Sequence, residues 1–409
     1  MPARFHRLLA LLWIVLAVAL SEWGLEHWFG PDGAEALPRA RVPLALGSLC
    51  FVSLAVATWR LGDRRVVQRL NIGALSLIVA GPILGEAALR LSFRFEGSPT
   101  RQPIRFAHNL IDDDYWILSG RWDAPEERIE PNRIHTGLGW SQGWITAENP
   151  FGLIKRTRDQ LCKDGRPKVL FYGDSYVAGL SREENWIPIY LDDRIAGADV
   201  VHLGVGGYGT GQAHLLFEAT HDQVERPFVI MGIMVYDFDR ATLDVRSYQK
   251  PRFKTDSSGA LEVVNLPIET DPNAYFRDVP LSLRSFVAAA LVRRLFPLAD
   301  PIFAEKVAVN RAIIAANREL ATESGSDLLY VLFHPLAELL ETDFRSTFFV
   351  EELEAQGIQC FDTRGPLLAY IEETGIDPGE LYVNGHHNDR GNNVVAEALL
   401  PVLNDLGFR

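Results

Sequence analysis

Lys168-Val-Leu-Phe-Tyr-Gly-Asp-Ser-Tyr-Val-Ala-Gly179 decides how the rest of the chain is read. The apolar run Val169–Tyr172 fits a strand buried on both faces of a parallel sheet. Gly173 cuts it off, and Asp174 and Ser175 follow on the turn. A serine leaving a parallel strand stands at the carboxyl edge of an α/β sheet, where such sheets bind ligands. A helix begun there offers unpaired N–H groups to a developing oxyanion. The same residues also serve as a plain turn with Gly for positive φ and Asp or Ser as N-cap.

Working outward, strands and helical patterns alternate. Strands are expected at 168–172, 199–203, 228–235, 327–333 and 359–362. Helices are expected near 186–195, from the glycine run to about 224, at 281–296, at 303–323 and at 392–403. That alternation predicts a doubly wound parallel sheet over 167–409. An insertion at 239–300 carries a hairpin signal, Asp256-Ser-Ser-Gly259 between two strand-like runs. It reads as a lid, a substrate wall or a surface hairpin. Residues 94–166 read as a connector containing the Gly/Trp cluster Gly137–Trp144.

The first 93 residues are different in kind. Apolar segments at about 8–23, 42–59 and 71–93 approach bilayer-spanning length and predict a three-helix transmembrane region. The first also fits a cleaved signal peptide, and the choice stays open. Arg60, Arg64, Arg65 and Arg69 mark the loop between the second and third segments as cytoplasmic, which puts the large domain outside. Glu86, four residues before Arg90, is read as one half of an exposed helix pair. Twelve arginines and no lysine against seven acids give residues 1–105 a charge of +5, so the remainder carries −18 of the total −13. A domain so acidic repels phosphate backbones, and nucleic acid is not expected as a partner. Cys162 and Cys360 both fall in the external part, where compartment permits a disulfide. No Cys or His spacing matches a metal site, and no cofactor is expected.

A nucleophilic serine needs a base, and three histidines stand where a carboxyl edge is expected. His334 follows the fourth strand. His386 and His387 lie in Asn384-Gly-His-His-Asn-Asp-Arg-Gly391, a polar loop before the last helix. The run Gly204-Val-Gly-Gly-Tyr-Gly209 follows the second strand rather than the first and lacks the register of a dinucleotide fingerprint. It reads instead as a loop whose bare N–H groups approach a substrate oxygen.

Taken together, Gly173-Asp-Ser175, the glycine loop, the apolar third strand and the late histidine loop resemble the SGNH/GDSL hydrolase superfamily. The matching blocks cover about 168–238 and 381–405, and 249–267 resembles an insertion of membrane-anchored bacterial members. The resemblance implies a flavodoxin-like α/β fold and ester hydrolysis or acyl transfer, often on acetylated glycans. It places the nucleophile on Ser175, the base on His386 and an oxyanion glycine on Gly207. Two positions depart from the pattern. Tyr236 stands where the family has an oxyanion asparagine, and Asn384 stands where it has the orienting aspartate. Amide for acid in a triad costs about 10⁴ in turnover, and a lost oxyanion donor about 10²–10³. A backbone carbonyl can also orient an imidazole, and Asp237, Asp362 and Asp389 are candidate substitutes. Asp174, Asp237, His334 and His387 complete the candidate set.

Two readings follow. One is an integral protein of a bacterial inner membrane with an outward, periplasmic esterase or acyltransferase domain acting on an ester or acylated envelope substrate. The other is a catalytically impaired domain that binds other membrane subunits. Lipid is the expected neighbour of the first 93 residues in both.

Overall fold

A computed structural model of the protein describes residues 3–19, 21, 38–92, 130–162, 165–246, 248–269, 285, 287 and 303–408. The expected helix at 281–296 and the connector before 130 lie outside the described residues, apart from Ser285 and Val287. Two compact units are present.

The first unit holds helices α1 (Ala3–Ala19), α2 (Pro38–Leu61) and α3 (Arg65–Ser92). Leu9, Trp13 and Ala55 form its buried centre, with Phe51, Leu54, Ala74 and Leu75 against them. A polar knot sits among these side chains. Trp13 Nε1 donates to Asn71 Oδ1 at 2.6 Å, and the Asn71 amide is also 2.9 Å from Thr58 Oγ1. Glu86 accepts from Ser285 Oγ at 2.9 Å and from the Val287 N–H at 3.1 Å. Of the three spans expected from the sequence, one described helix is long and apolar enough to cross a membrane, over Arg65–Ala88. The second segment lies in a 24-residue helix, Pro38–Leu61, of which Ala45–Leu61 is an apolar stretch. The first is a 17-residue helix that takes in Arg4, His6 and Arg7.

The second unit is built on five parallel strands: β1 (Lys168–Gly173), β2 (Asp199–Gly204), β3 (Phe228–Met234), β4 (Asp327–Phe333) and β5 (Gln359–Asp362). Their order is β5-β4-β3-β1-β2, so the sheet is doubly wound, with its switch point between β1 and β3. Alternation along each strand makes two cores. Leu170, Tyr172, Val201, Met231 and Leu332 face α7 (Thr210–Thr220), α8 (Phe303–Glu323) and α10 (Phe344–Ala355). Val169, Phe171, Ile230, Val331 and Phe333 face α6 (Ile187–Asp192), α9 (Leu336–Leu340), α11 (Arg364–Thr374) and α12 (Asp389–Asp405).

Three glycines lie side by side where the strands end, because Gly173 pairs with Gly204 on one side and Gly232 on the other. The short helix α5 (Ser175–Ala178) rests directly on this row. A Cβ on Gly204 would stand 2.5 Å from Ala178 N, and one on Gly232 would strike Val177. No side chain fits between turn and sheet.

The connector is part of this unit from residue 130 on and contains helix α4 (Lys155–Leu161). The middle of its Gly/Trp cluster, Leu138–Ser141, is buried, while Trp144 is exposed. Trp140 Nε1 donates to Gly206 O at 2.8 Å, and Gln142 Nε2 donates to Gly204 O at 2.6 Å. The hairpin forms at Phe253–Thr255 and Leu261–Val263. Its base is anchored in the core: Phe253 is buried where a Gly211 side chain would otherwise stand, and Lys250 donates to the carbonyls of Arg240, Leu243 and Pro251. Cys162 and Cys360 are both free thiols.

Candidate active site

The β1 strand delivers Asp174 and Ser175 to the carboxyl edge. Asp174 caps α5 by accepting from the Tyr176 N–H at 2.9 Å, so Ser175 becomes the first helical residue. The N–H of a first helical residue has no intrahelical acceptor. That of Ser175 makes no hydrogen bond among the described residues, nor does that of Gly207 in the glycine loop.

Opposite Ser175 stands a two-residue hairpin. Tyr382–Val383 pairs with His386–His387, and Asn384 and Gly385 form its tip with φ of 49° and 80°. Two consecutive positive φ values are the signature of a type I′ turn, for which Asn-Gly is the preferred pair. Asn384 is therefore a turn residue here, with its side chain exposed. The hairpin aims His386 at the serine, and Nε2 lies 2.7 Å from Ser175 Oγ. The other ring nitrogen, Nδ1, lies 3.1 Å from the backbone oxygen of Asn384. A carbonyl only accepts, so Nδ1 carries the proton and Nε2 presents its lone pair to the hydroxyl.

The candidate substitute carboxylates are all engaged elsewhere. Asp389 meets Arg182 at 2.6 Å, Asp237 is bound by Arg240, and Asp362 lies 2.8 Å from His334 Nε2. The His334 partnership holds the Asp362 carboxyl below its usual range against the opposing effect of burial. Tyr236 does not turn its hydroxyl to Ser175. It donates to Glu338 at 2.9 Å, and the Arg345 guanidinium lies over its ring. His387 is enclosed by Tyr176, Tyr382 and Phe333, and burial pushes its imidazole down to about 3. It is thus a neutral core residue at ordinary pH. The sequence brings Ser175 and His386 together and leaves His334, His387 and Tyr236 outside hydrogen-bonding reach of the serine.

Two further residues belong to the site. Tyr176 donates its hydroxyl to Gly385 O at 2.8 Å and lies 5.0 Å, ring to ring, from His386. It fastens the histidine hairpin to the turn that carries the serine. Arg240 reaches Asp174 and Asp237 from just beyond β3. The Asn-Gly pair was the sequence signal for the hairpin. Tyr176 meets Gly385 209 residues away, and Arg240 joins its near neighbour Asp237 to Asp174 66 residues away, a link that no local pattern shows.

No protein-family model matches the chain, and no curated protein matches it. Among solved structures it is similar to a member of the lipolytic G-D-S-L family from Veillonella parvula, at 13% identity and a TM-score of 0.35, over 58% of this chain and 98% of that one. It is similar to a catalytic mutant of an acetylxylan esterase from Geobacillus stearothermophilus, at 14% identity and a TM-score of 0.33, over 60% of this chain and 97% of that one. A two-domain esterase active on acetylated mannans is matched at 12% identity and a TM-score of 0.35, over 62% of this chain and 53% of the esterase.

Proposed function

We propose that the chain is an SGNH-type serine ester hydrolase or O-acyltransferase working through a Ser175–His386 dyad. The observation that carries this reading is the 2.7 Å contact between Ser175 Oγ and a His386 nitrogen whose tautomer is fixed by the Asn384 carbonyl. In the first step Ser175 Oγ bonds to the acyl carbon while its proton passes to His386 Nε2. The oxyanion meets the unpaired N–H groups of Ser175 and Gly207. His386 then returns the proton to the leaving alkoxide as the old ester bond breaks. Water, or an acceptor hydroxyl, attacks the Ser175 ester next, gives its proton to His386, and the serine leaves with that proton. Nothing in this sequence calls for a metal or an organic cofactor.

On this reading the N-terminal helices anchor the protein in a membrane with the second unit on the outer side. The substrate class is an acylated envelope glycan or a lipid-linked ester. Exposing detergent-solubilised protein to a fluorophosphonate probe tests the chemistry. Labelling that disappears in Ser175→Ala supports it, and a folded wild type that takes no label sinks it. A reporter fused after Arg409 tests the topology and should be active only outside the membrane.

The engagement of the Tyr236 hydroxyl by Glu338 favours a second reading, a domain lacking one oxyanion donor that acts as a binding subunit. Absence of labelling is what that reading expects.

A further inference from the structure

Arg240 is 6% exposed, and the two carboxylates it meets, Asp174 and Asp237, are 1% exposed each. Charges this deeply buried persist only when paired. Burial raises both carboxyls above their ordinary range, Asp237 well above it. The two repel each other, while Arg240, Arg246 near Asp237 and His386 near Asp174 oppose the rise.

What Arg240 joins is more telling than that it is paired. Its Nη1 donates to Tyr208 O at 2.7 Å, binds Asp237, and stands 3.6 Å from Asp174 Oδ2. Tyr208 directly follows Gly207, and Asp174 directly precedes Ser175. One guanidinium therefore holds the residue next to each unpaired N–H group. Its stem also covers the glycine loop: a Cβ on Gly209 would stand 2.7 Å from Arg240 Cβ. Asp237 ties the assembly to the end of β3 by accepting from the Met234 N–H at 3.2 Å.

We propose that Arg240 is a positioning residue that sets the relative placement of the Ser175 and Gly207 N–H donors, a role that rests on the dyad reading above. It touches no reacting atom. Its effect passes through the glycine loop and the serine turn. Two donors aimed at one oxygen have to be held closely, and a donor moved out of line loses most of its contribution.

The test uses full-length protein in detergent and two variants. Arg240→Lys keeps a buried cation but draws it back on a shorter stem without the planar fork. Arg240→Met with Asp237→Asn removes the bridge while avoiding an uncompensated pair of buried carboxylates. Both are expected to lower the limiting rate of fluorophosphonate labelling by roughly 10²-fold, with the probe's half-saturation concentration within about threefold of wild type. Amide hydrogen exchange is expected to quicken at 205–210 and 174–176 and nowhere else. A wild-type limiting rate in either folded variant overturns the proposal, as does unchanged exchange in those two segments. A wild type that takes no label defeats the dyad reading instead, and the exchange comparison then decides alone whether Arg240 orders the loop.

Discussion

His386 Nδ1 meets the main-chain oxygen of Asn384 two residues before it, at 3.1 Å, within the hairpin that carries both. The orienting group is thus supplied by the peptide, and the Asn384 side chain is needed for its backbone angle. Asn384→Gly satisfies φ of 49° at least as well and is expected to label within about threefold of wild type. Asn384→Val, a β-branched residue forced to positive φ, costs about 1–2 kcal/mol and displaces the carbonyl. It should slow labelling at least tenfold. A Gly variant that falls by about 10⁴ would mean that the side chain acts like a triad acid after all.

Tyr236→Phe separates two roles for one hydroxyl. Its partner is Glu338, so removal should cost about 1 kcal/mol of stability and change labelling by less than threefold. A loss of about 10²–10³ would restore Tyr236 as an oxyanion donor. Paired denaturation and labelling measurements distinguish the outcomes.

Buried histidines give the fold a definite pH response. His387 sits near 3 and His202 near 4 when folded, against about 6.5 for a free imidazole. Both are depressed, so the unfolded chain binds more protons below pH 6.5, and stability falls as pH drops from there toward the folded values. Each contributes up to about 1.4 kcal/mol per pH unit in that window. The raised carboxyls of Asp174 and Asp237 act in the opposite sense, favouring the fold at low pH and losing that contribution as pH rises through their folded values. His387→Phe preserves the aromatic packing and should flatten the decline in urea midpoint between pH 6.5 and 5. An unchanged slope would show that His387 is accessible to protons in the folded protein.

The parallel sheet was legible because its strands are short apolar runs separated by helical patterns. The β4 and β5 boundaries coincide with the expected ones. Ser175 and His386 stood out because each lies on a polar turn at a predicted strand or helix end. Helices α9, α10 and α11 were missed: α9 is only five residues long, and the fully buried apolar residues are Phe349 and Leu353 in α10 and Leu367 in α11, too few to mark a long apolar stripe. Asn384 stands at the position of an orienting acid, yet the pair Asn384-Gly385 by itself specifies a turn. Tyr176 acts through a contact 209 residues away, and Arg240 through Tyr208 and Asp174 as well as its neighbour Asp237, so only the last of these could be seen locally. In the first unit the apolar segments were visible, and the helices that hold them also take in flanking arginines.

Gly232→Ala is the sharpest test of how the serine turn is seated. The added methyl meets Val177 and, at 2.8–2.9 Å, the rings of Phe171 and Phe333. Overpacking of this kind costs typically about 1–3 kcal/mol. Urea denaturation should show that loss, and labelling should slow as α5 is lifted. Wild-type labelling in a destabilised variant would mean that the turn repositions without consequence.

The glycine row across β2, β1 and β3 also has a meaning for how this protein can vary. Where side chains separate a turn from a sheet, substitutions among them can tune the height of a nucleophile in small steps. Here two backbones touch, and that height is set by atomic radii and the twist of three strands. Adjustment of Ser175 against its partner is therefore left to the other side, to the hairpin of His386 and the residues that clasp it. Changes in reactivity should accumulate there, in a tip of two exposed residues, while the seat beneath the serine stays as it is.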